Sequence, residues 1–341
     1  MIDATLYADI STARGSSVIT VAWRLLEQVE AGGADVIKRG IVDREGHVQR
    51  RSVGWFHGYP QQLQQAVMRP GIHGRRVAGL QVDASPVPRD WRRLTRGLDL
   101  IYCPSSWCVD QLRPIVGPGT RTILVPHGID PPASALPYEL PERFTALCVS
   151  LGDHGGSHAW AHHLRKGVDV AVEACWLAGV NLVLKAGTVA QSWLAESGYS
   201  EHVTVVDDWL HPGQLSDLLR SVHVVLVPSR SEAFGLVAAE ALAHGVPVIA
   251  TDGTGMDDYL PHDERVVRIK GAIPVYDLPT FGLPTGKVLD VHATAAARAL
   301  NEAREGYEAR RSLAESEARK WTEVHSWENA AAQLVDWICS T

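Results

Sequence analysis

Apolar and polar positions along this chain alternate between two periods. "SSVITVAWRLLEQVE" sets Val18, Val21, Leu25 and Val29 at helical spacing, which predicts an amphipathic helix. "ATLYADI", before it, reads as a short strand. "DLIYCPS" (99–105) and "RTILVPHG" (121–128) are apolar runs closed by Pro or Gly, and "SWCVDQLRPIV" between them predicts a short helix. This is the strand–helix–strand rhythm of a parallel sheet. "DPPASALPYELPER" (130–143) breaks it with four prolines and reads as a linker. The rhythm then resumes. "FTALCVSLG", "NLVLKAG", "HVVLVPS" and "VPVIATD" predict strands. "KGVDVAVEACWLAG", "HPGQLSDLLRSV" and residues 235–244 predict helices between them. Uninterrupted Val, Ile and Leu runs point to strands covered on both faces, as in doubly wound sheets. The expected fold class is therefore α/β, with two such domains over 1–135 and 143–324. The tail "AAAQLVDWICST" sets Leu334, Trp337 and Ile338 near one face, so a helix over about 325–341 has to dock to hide that stripe.

The length of 341 residues agrees with two domains, and 45% hydrophobic with 21% charged residues fits a globular chain. No apolar run reaches the ~18 residues of a membrane span. The opening "MIDATLYADISTARG" lacks the basic and apolar regions of a signal peptide. The five cysteines are odd in number and have no CxxC spacing, which predicts reduced thiols and a cytoplasmic location. Peripheral membrane association stays open. Charge separates the halves. Residues 1–135 hold 16 Lys and Arg against 12 Asp and Glu, and the rest hold 16 against 27. Arg50, Arg51, Arg75, Arg76, Arg92, Arg93 and Arg96 are either solvated or draw an anionic partner. The excess is small for a dedicated nucleic-acid binder.

The candidate chemistry concentrates in "SRSEAFGLVAAEALAHGVPVIA" (229–250), where Glu232 and Glu240 stand eight positions apart. The strand before this segment delivers the chain to the carboxyl edge of the second sheet, where open α/β folds bind ligands. Gly235 opens a helix there, and the unpaired amides and dipole of its amino end suit a phosphate or diphosphate. Glu232 sits in the turn beside that end. Glu240 lies about five residues into the helix, roughly 7–8 Å along its axis. A carboxylate at that depth accepts hydrogen bonds from a vicinal diol such as a ribose. The competing reading is a surface helix with solvated glutamates. Lys185 ends "NLVLK" at the same sheet edge, where it faces either a ligand or solvent. His154, His158, His162 and His163 invite a metal reading, but no nearby Cys and no HExxH completes a ligand set, so no metal is expected.

"VLVPSRSEAFGLVAAEALAHGVPVIATDGTG" resembles the signature of glycosyltransferase family 4, in which two glutamates separated by seven residues follow a strand ending in Pro-Ser. "VPHGID" (125–130), "RKGVDVAVEA" (165–174), "DASPVPRDWRRLTRGLDLIYCPSSW" and "HSWENAAAQL" resemble other stretches of that family in the same order. The resemblance covers most of 80–335 and is strongest over 223–255. It implies a GT-B fold: two Rossmann-like domains facing a central cleft, with the C-terminal helix crossing back to the first. It also implies an enzyme that moves a hexosyl unit from a UDP- or GDP-sugar to a hydroxyl acceptor with retention, and with no obligatory metal or other cofactor. By the same resemblance Glu232 contacts the donor sugar, Glu240 holds the ribose, and Phe234, Gly235 and Leu236 offer backbone amides. Lys166 neutralises the diphosphate. His57 in "GWFHGYP" and Gly15, with Arg14, in "DISTARGSS" match family positions beside the donor. The family places an Arg just after the strand "ALCVSLG"; here Asp153 stands there, within an insertion, and Arg165 or a histidine of the insertion is the substitute cation. The acceptor stays open among saccharide, lipid, protein and nucleic acid. A nucleic-acid glycosyltransferase, a nucleotide-sugar epimerase and a non-catalytic nucleotide-sugar binder remain as alternatives.

Overall fold

A computed structural model describes residues 17–34, 53–58, 75–82, 87, 89–133, 138–150, 159–207, 210–277 and 287–340. The strand expected over "ATLYADI", Gly15 with Arg14, Asp153, His154 and His158 lie outside them. The chain divides into two compact units, Met1–Gly128 with His325–Thr341, and Ile129–Val324.

The first unit is built on a four-stranded parallel sheet, in order β1-β2-β3-β4: Val53–Gly58, Arg75–Leu80, Leu100–Cys103 and Arg121–Leu124. Helix α1 (Ser17–Ala31) buries Val21, Leu25, Leu26 and Val29, the apolar stripe visible in its sequence. A single helical turn, α2 (Arg92–Thr95), precedes β3. Helix α3 (Ser106–Leu112) starts where the Ser105 hydroxyl accepts from the Cys108 amide at 3.2 Å, satisfying one of the unpaired donors of its first turn. The C-terminal helix, Trp327–Cys339, belongs to this unit and is capped in the same way by Ser326. It buries Trp327, Leu334 and Ile338, and Gly32 and Gly128 have no room for a Cβ against Val335 and Trp327.

The second unit holds a six-stranded sheet in order β10-β9-β8-β5-β6-β7, parallel throughout. Its strands are β5 (Thr145–Ser150), β6 (Asn181–Ala186), β7 (Val203–Val206), β8 (Val224–Val227), β9 (Val248–Thr251) and β10 (Val266–Ile269). The helices between them are α4 (Ala159–Arg165), α5 (Val168–Ala178), α6 (Thr188–Ser197), α7 (Pro212–Arg220) and α8 (Leu236–Ala243). An antiparallel pair, β11 (Ile273–Asp277) and β12 (Lys287–Asp290), precedes α9 (Ala293–Glu305) and α10 (Tyr307–Val324). Every residue of "VVLV" and "VIAT" is buried, as continuous apolar strands covered on both faces require. The strand order reverses between β5 and β8, so the carboxyl ends of these two strands flank the switch point.

The sequence reading did not identify β2, α2, α4, α6, β7, β10, the β11–β12 pair, α9 or α10. No disulfide joins any of the cysteines. Among the described residues, no helix is long and apolar enough to cross a membrane.

Candidate active site

The site is assembled at the switch point of the second sheet from two chain segments that follow β5 and β8. After β8 the chain runs through Pro228 and Ser229 to Glu232, then turns at Gly235 into α8. Gly235 has φ +89°, a left-handed conformation that costs a residue with a Cβ but not glycine. A Cβ there would also stand 2.6 Å from Met256 Cγ. Tyr259 locks this corner: its hydroxyl donates to the Gly235 carbonyl at 2.7 Å, and its ring stacks on Phe234 at 4.3 Å between centroids. The Glu232 carbonyl accepts from the Gly255 amide at 2.9 Å. The N-cap of α8 is Gly235, which has no side chain to cap it, and the helix's amino-terminal amides end in this corner.

The second segment is the turn between α4 and α5. Gly167, at φ +70°, lies so close to the Pro228 carbonyl that a Cβ would run into it. That approach presses the turn onto the end of β8. Four further bonds seal the contact. The Arg230 amide donates to the Arg165 carbonyl at 2.8 Å, Arg165 Nη1 donates to the Ser231 carbonyl at 3.1 Å, and the Arg230 guanidinium grips both Asp169 oxygens at 2.7 Å. The result puts Lys166 Nζ 2.5 Å from Glu232 Oε1, which also accepts from the Ser229 hydroxyl at 2.8 Å. Cys148, Val149, Lys166, Ser229, Glu232 and Gly235 line a small pocket here.

The two glutamates have opposite electrostatics. Glu232 is buried, which alone would raise its pKa, but Lys166, Arg165 and the hydrogen bonds from Lys166 and Ser229 hold it below the ordinary carboxylate value. It stays ionised at neutral pH and can only accept hydrogen bonds. Glu240, half-buried on α8, is pushed up to about 7 by burial and by the nearby Asp130.

The structure thus brings together Glu232, Lys166, Arg165, Phe234, Gly235 and Leu236, with Glu240 four residues along α8 from Leu236. Lys185 is buried on β6 in register with Val149, so the solvent-facing alternative does not hold. His57 belongs to the first unit, buried on β1. His163 is buried against the Ser150 hydroxyl at 2.8 Å, and His162 Nδ1 faces Arg165 at 3.4 Å. Among the described residues, no group of three or more His, Cys, Asp and Glu is placed to hold a metal ion. Sequence reasoning missed the Arg230–Asp169 clamp, the Ser229 bond, Tyr259 and the neighbouring charge of Asp130. It also treated Lys166 and Glu232 as separate contacts, whereas they form an ion pair.

Residues 161–334, just over half of the chain, match the model of a family described as Family 4 Glycosyltransferase in conflict systems. MMP alpha-(1->4)-mannosyltransferase of Mycolicibacterium hassiacum is 30% identical over 142 residues, which cover 42% of this chain and 30% of that protein. The match thus spans less than a third of that relative's length. Sucrose-phosphate synthase from Thermosynechococcus elongatus superposes with a TM-score of 0.70 at 17% identity, covering 98% of each chain. Anabaena HepE in complex with UDP-glucose superposes with a TM-score of 0.71 at 14% identity, covering 99% of this chain and 100% of that one. The fold they share is GT-B.

Proposed function

The chain belongs to the family 4 glycosyltransferases of conflict systems, and from that premise we propose that it transfers a hexosyl unit from a UDP- or GDP-sugar to a hydroxyl acceptor, with retention of configuration and without an obligatory metal. The observation that carries this reading is the ionised Glu232, paired with Lys166 beneath the uncapped amino end of α8, with Glu240 further along the same helix. Anion, sugar and ribose sites follow one another along a single corner of the unit. The mannosyltransferase relative and the UDP-glucose complex of a neighbour support a nucleotide-linked hexose as donor.

In this reading the diphosphate lies against the amides of Gly235 and Leu236, where the helix dipole favours negative charge. Lys166 turns from Glu232 toward the phosphate as the leaving group gains charge, and Arg165 adds a second fixed cation. These two cations do the work a metal does elsewhere. Glu232, freed on one side, accepts hydrogen bonds from sugar hydroxyls. In this reading neither Glu232 nor Glu240 acts as a nucleophile. The leaving phosphate oxygen takes the acceptor's proton as the new bond forms on the same face, and the protein contributes orientation and charge stabilisation.

Isothermal calorimetry against UDP, GDP and their glucose and mannose conjugates tests the donor. One nucleotide is expected to bind, and Glu240→Ala is expected to weaken it about tenfold or more, the loss of one or two charge-assisted hydrogen bonds. Unchanged affinity in that variant would remove the ribose assignment.

A further inference from the structure

Lys166 and Glu232 come from segments 66 positions apart, and the bonds that join those segments fall just before each of them. Arg165 precedes Lys166, and Ser231 precedes Glu232. Arg165 Nη1 donates to the Ser231 carbonyl at 3.1 Å. Arg230 braces in the opposite direction. Its amide donates to the Arg165 carbonyl at 2.8 Å, and its Nη1 to the Leu164 carbonyl at 2.6 Å. On its other side, the Arg230 carbonyl accepts from the Leu289 amide of β12 at 2.8 Å. None of these bonds uses the side chain of Lys166 or Glu232.

Arg230 stands two residues before Glu232, where by sequence alone it would serve as a cation for a diphosphate. Its guanidinium is committed elsewhere. Nη1 and Nη2 each donate to one Asp169 oxygen at 2.7 Å, a two-pronged geometry that suits Arg and that Lys cannot reproduce. Asp169 lies in the first turn of α5, where the helix dipole favours a carboxylate. We propose that Arg230 is a positioning residue: clamped on Asp169, it holds the α4–α5 turn against the loop after β8, sets Lys166 opposite Glu232, and does not itself bind the diphosphate. Exposure fits this division of labour. The Arg230 side chain is 8% exposed and the Lys166 side chain 21%. Lys166 is the cation that can swing toward a phosphate, and Arg230 keeps the backbone beneath it still.

The effect on turnover rests on the glycosyltransferase reading; the placement of the ion pair does not. Arg230→Lys keeps the charge and the backbone bonds and loses the fork. The Glu232 carboxyl, followed in 13C spectra of the full chain and assigned by its loss in Glu232→Gln, is expected to titrate below the ordinary carboxylate range in the wild type. In Arg230→Lys it should titrate higher, because its burial persists while Lys166 drifts away. Turnover at saturating donor is expected to fall about tenfold or more, since displacing a group by about 1 Å costs up to about a hundredfold. The calorimetric Kd for UDP or GDP should stay within about threefold, because no bond to the nucleotide is lost. Asp169→Asn keeps the shape of the clamp, removes its charge, and is expected to show the same split of kcat from Kd. If Arg230 binds the diphosphate instead, Asp169→Asn releases it and nucleotide affinity rises, while Arg230→Lys loses about tenfold in affinity with kcat kept. That outcome overturns the proposal, as does an unmoved Glu232 titration in Arg230→Lys. Where Arg230→Lys fails to fold, Asp169→Asn decides by its kcat and Kd. A wild-type chain that binds neither nucleotide and transfers no sugar overturns the functional reading, and the Glu232 titration in Arg230→Lys then still decides the placement.

Discussion

Glu232 and Glu240 are close in sequence, yet one is held ionised by a cation and the other is raised by burial and by Asp130. This difference makes separate predictions. Glu240, raised to about 7, is mostly protonated at pH 6 and loses the charge proposed to hold a ribose diol. Nucleotide affinity is therefore expected to be several-fold weaker at pH 6 than at pH 8. The phosphate groups of the ligand titrate in the same range, so the decisive measurement is the difference from Glu240→Gln, whose pH profile should lack that component. On stability the signs are opposite. Glu240, raised in the folded chain, favours folding at low pH and withdraws that contribution as pH rises through about 7. Glu232, lowered in the folded chain, contributes above the unfolded carboxylate pKa and loses it as pH falls through its own. Its ion pair allows a further test. Lys166→Met strands a buried carboxylate and is expected to cost about 3 kcal/mol in denaturant melts. Adding Glu232→Gln should restore most of that stability and none of the transfer activity, separating the structural cost from the chemical one.

At the scale of elements, the site depends on how closely the α4–α5 turn approaches the end of β8. Gly167 controls this distance, because its neighbour is the backbone carbonyl of Pro228, which cannot move aside like a flexible side chain. Gly167→Ala adds both that collision and a left-handed backbone that costs a Cβ-bearing residue about 1–2 kcal/mol. The expected result is a lowered melting point together with a loss of turnover, because Lys166 moves off Glu232; melting with intact turnover would show that the turn can shift without the site. The alternation of strands and helices was legible because long apolar strands and Ala-rich helices carry strong periodicity. "VTVV" and "VVRI" are four-residue strands beside polar residues, too short for a period to stand out, and α6 has a weak apolar face. Within the site, Glu232, Gly235 and Glu240 were readable because they share one helix start. The contacts between Lys166 and Glu232 and between Asp169 and Arg230 join residues more than sixty positions apart and leave no local pattern.

At the scale of the molecule, the chain ends in the unit where it begins. The helix Trp327–Cys339 supplies the first unit with Leu334 and Ile338, both at zero exposure, and with Trp337, whose carbonyl accepts from Arg75 Nη2 at 3.0 Å while Arg75 lies 3.7 Å over its ring. Losing two fully buried aliphatic side chains and a nearly buried Trp327 removes on the order of 5 kcal/mol or more of apolar burial. That is comparable to the whole stability of a domain. The residues proposed to hold the nucleotide, from Lys166 to Glu240, all belong to the second unit, whose core clusters contain no residue beyond 324. A chain ending at residue 324 is therefore expected to lose one calorimetric transition, to keep nucleotide affinity within about tenfold, and to transfer no sugar, since the first unit is left without its terminal helix. Equal loss of nucleotide binding would place part of the nucleotide site on the first unit. A single transition at the wild-type temperature would show that the terminal helix is dispensable, which its burial argues against.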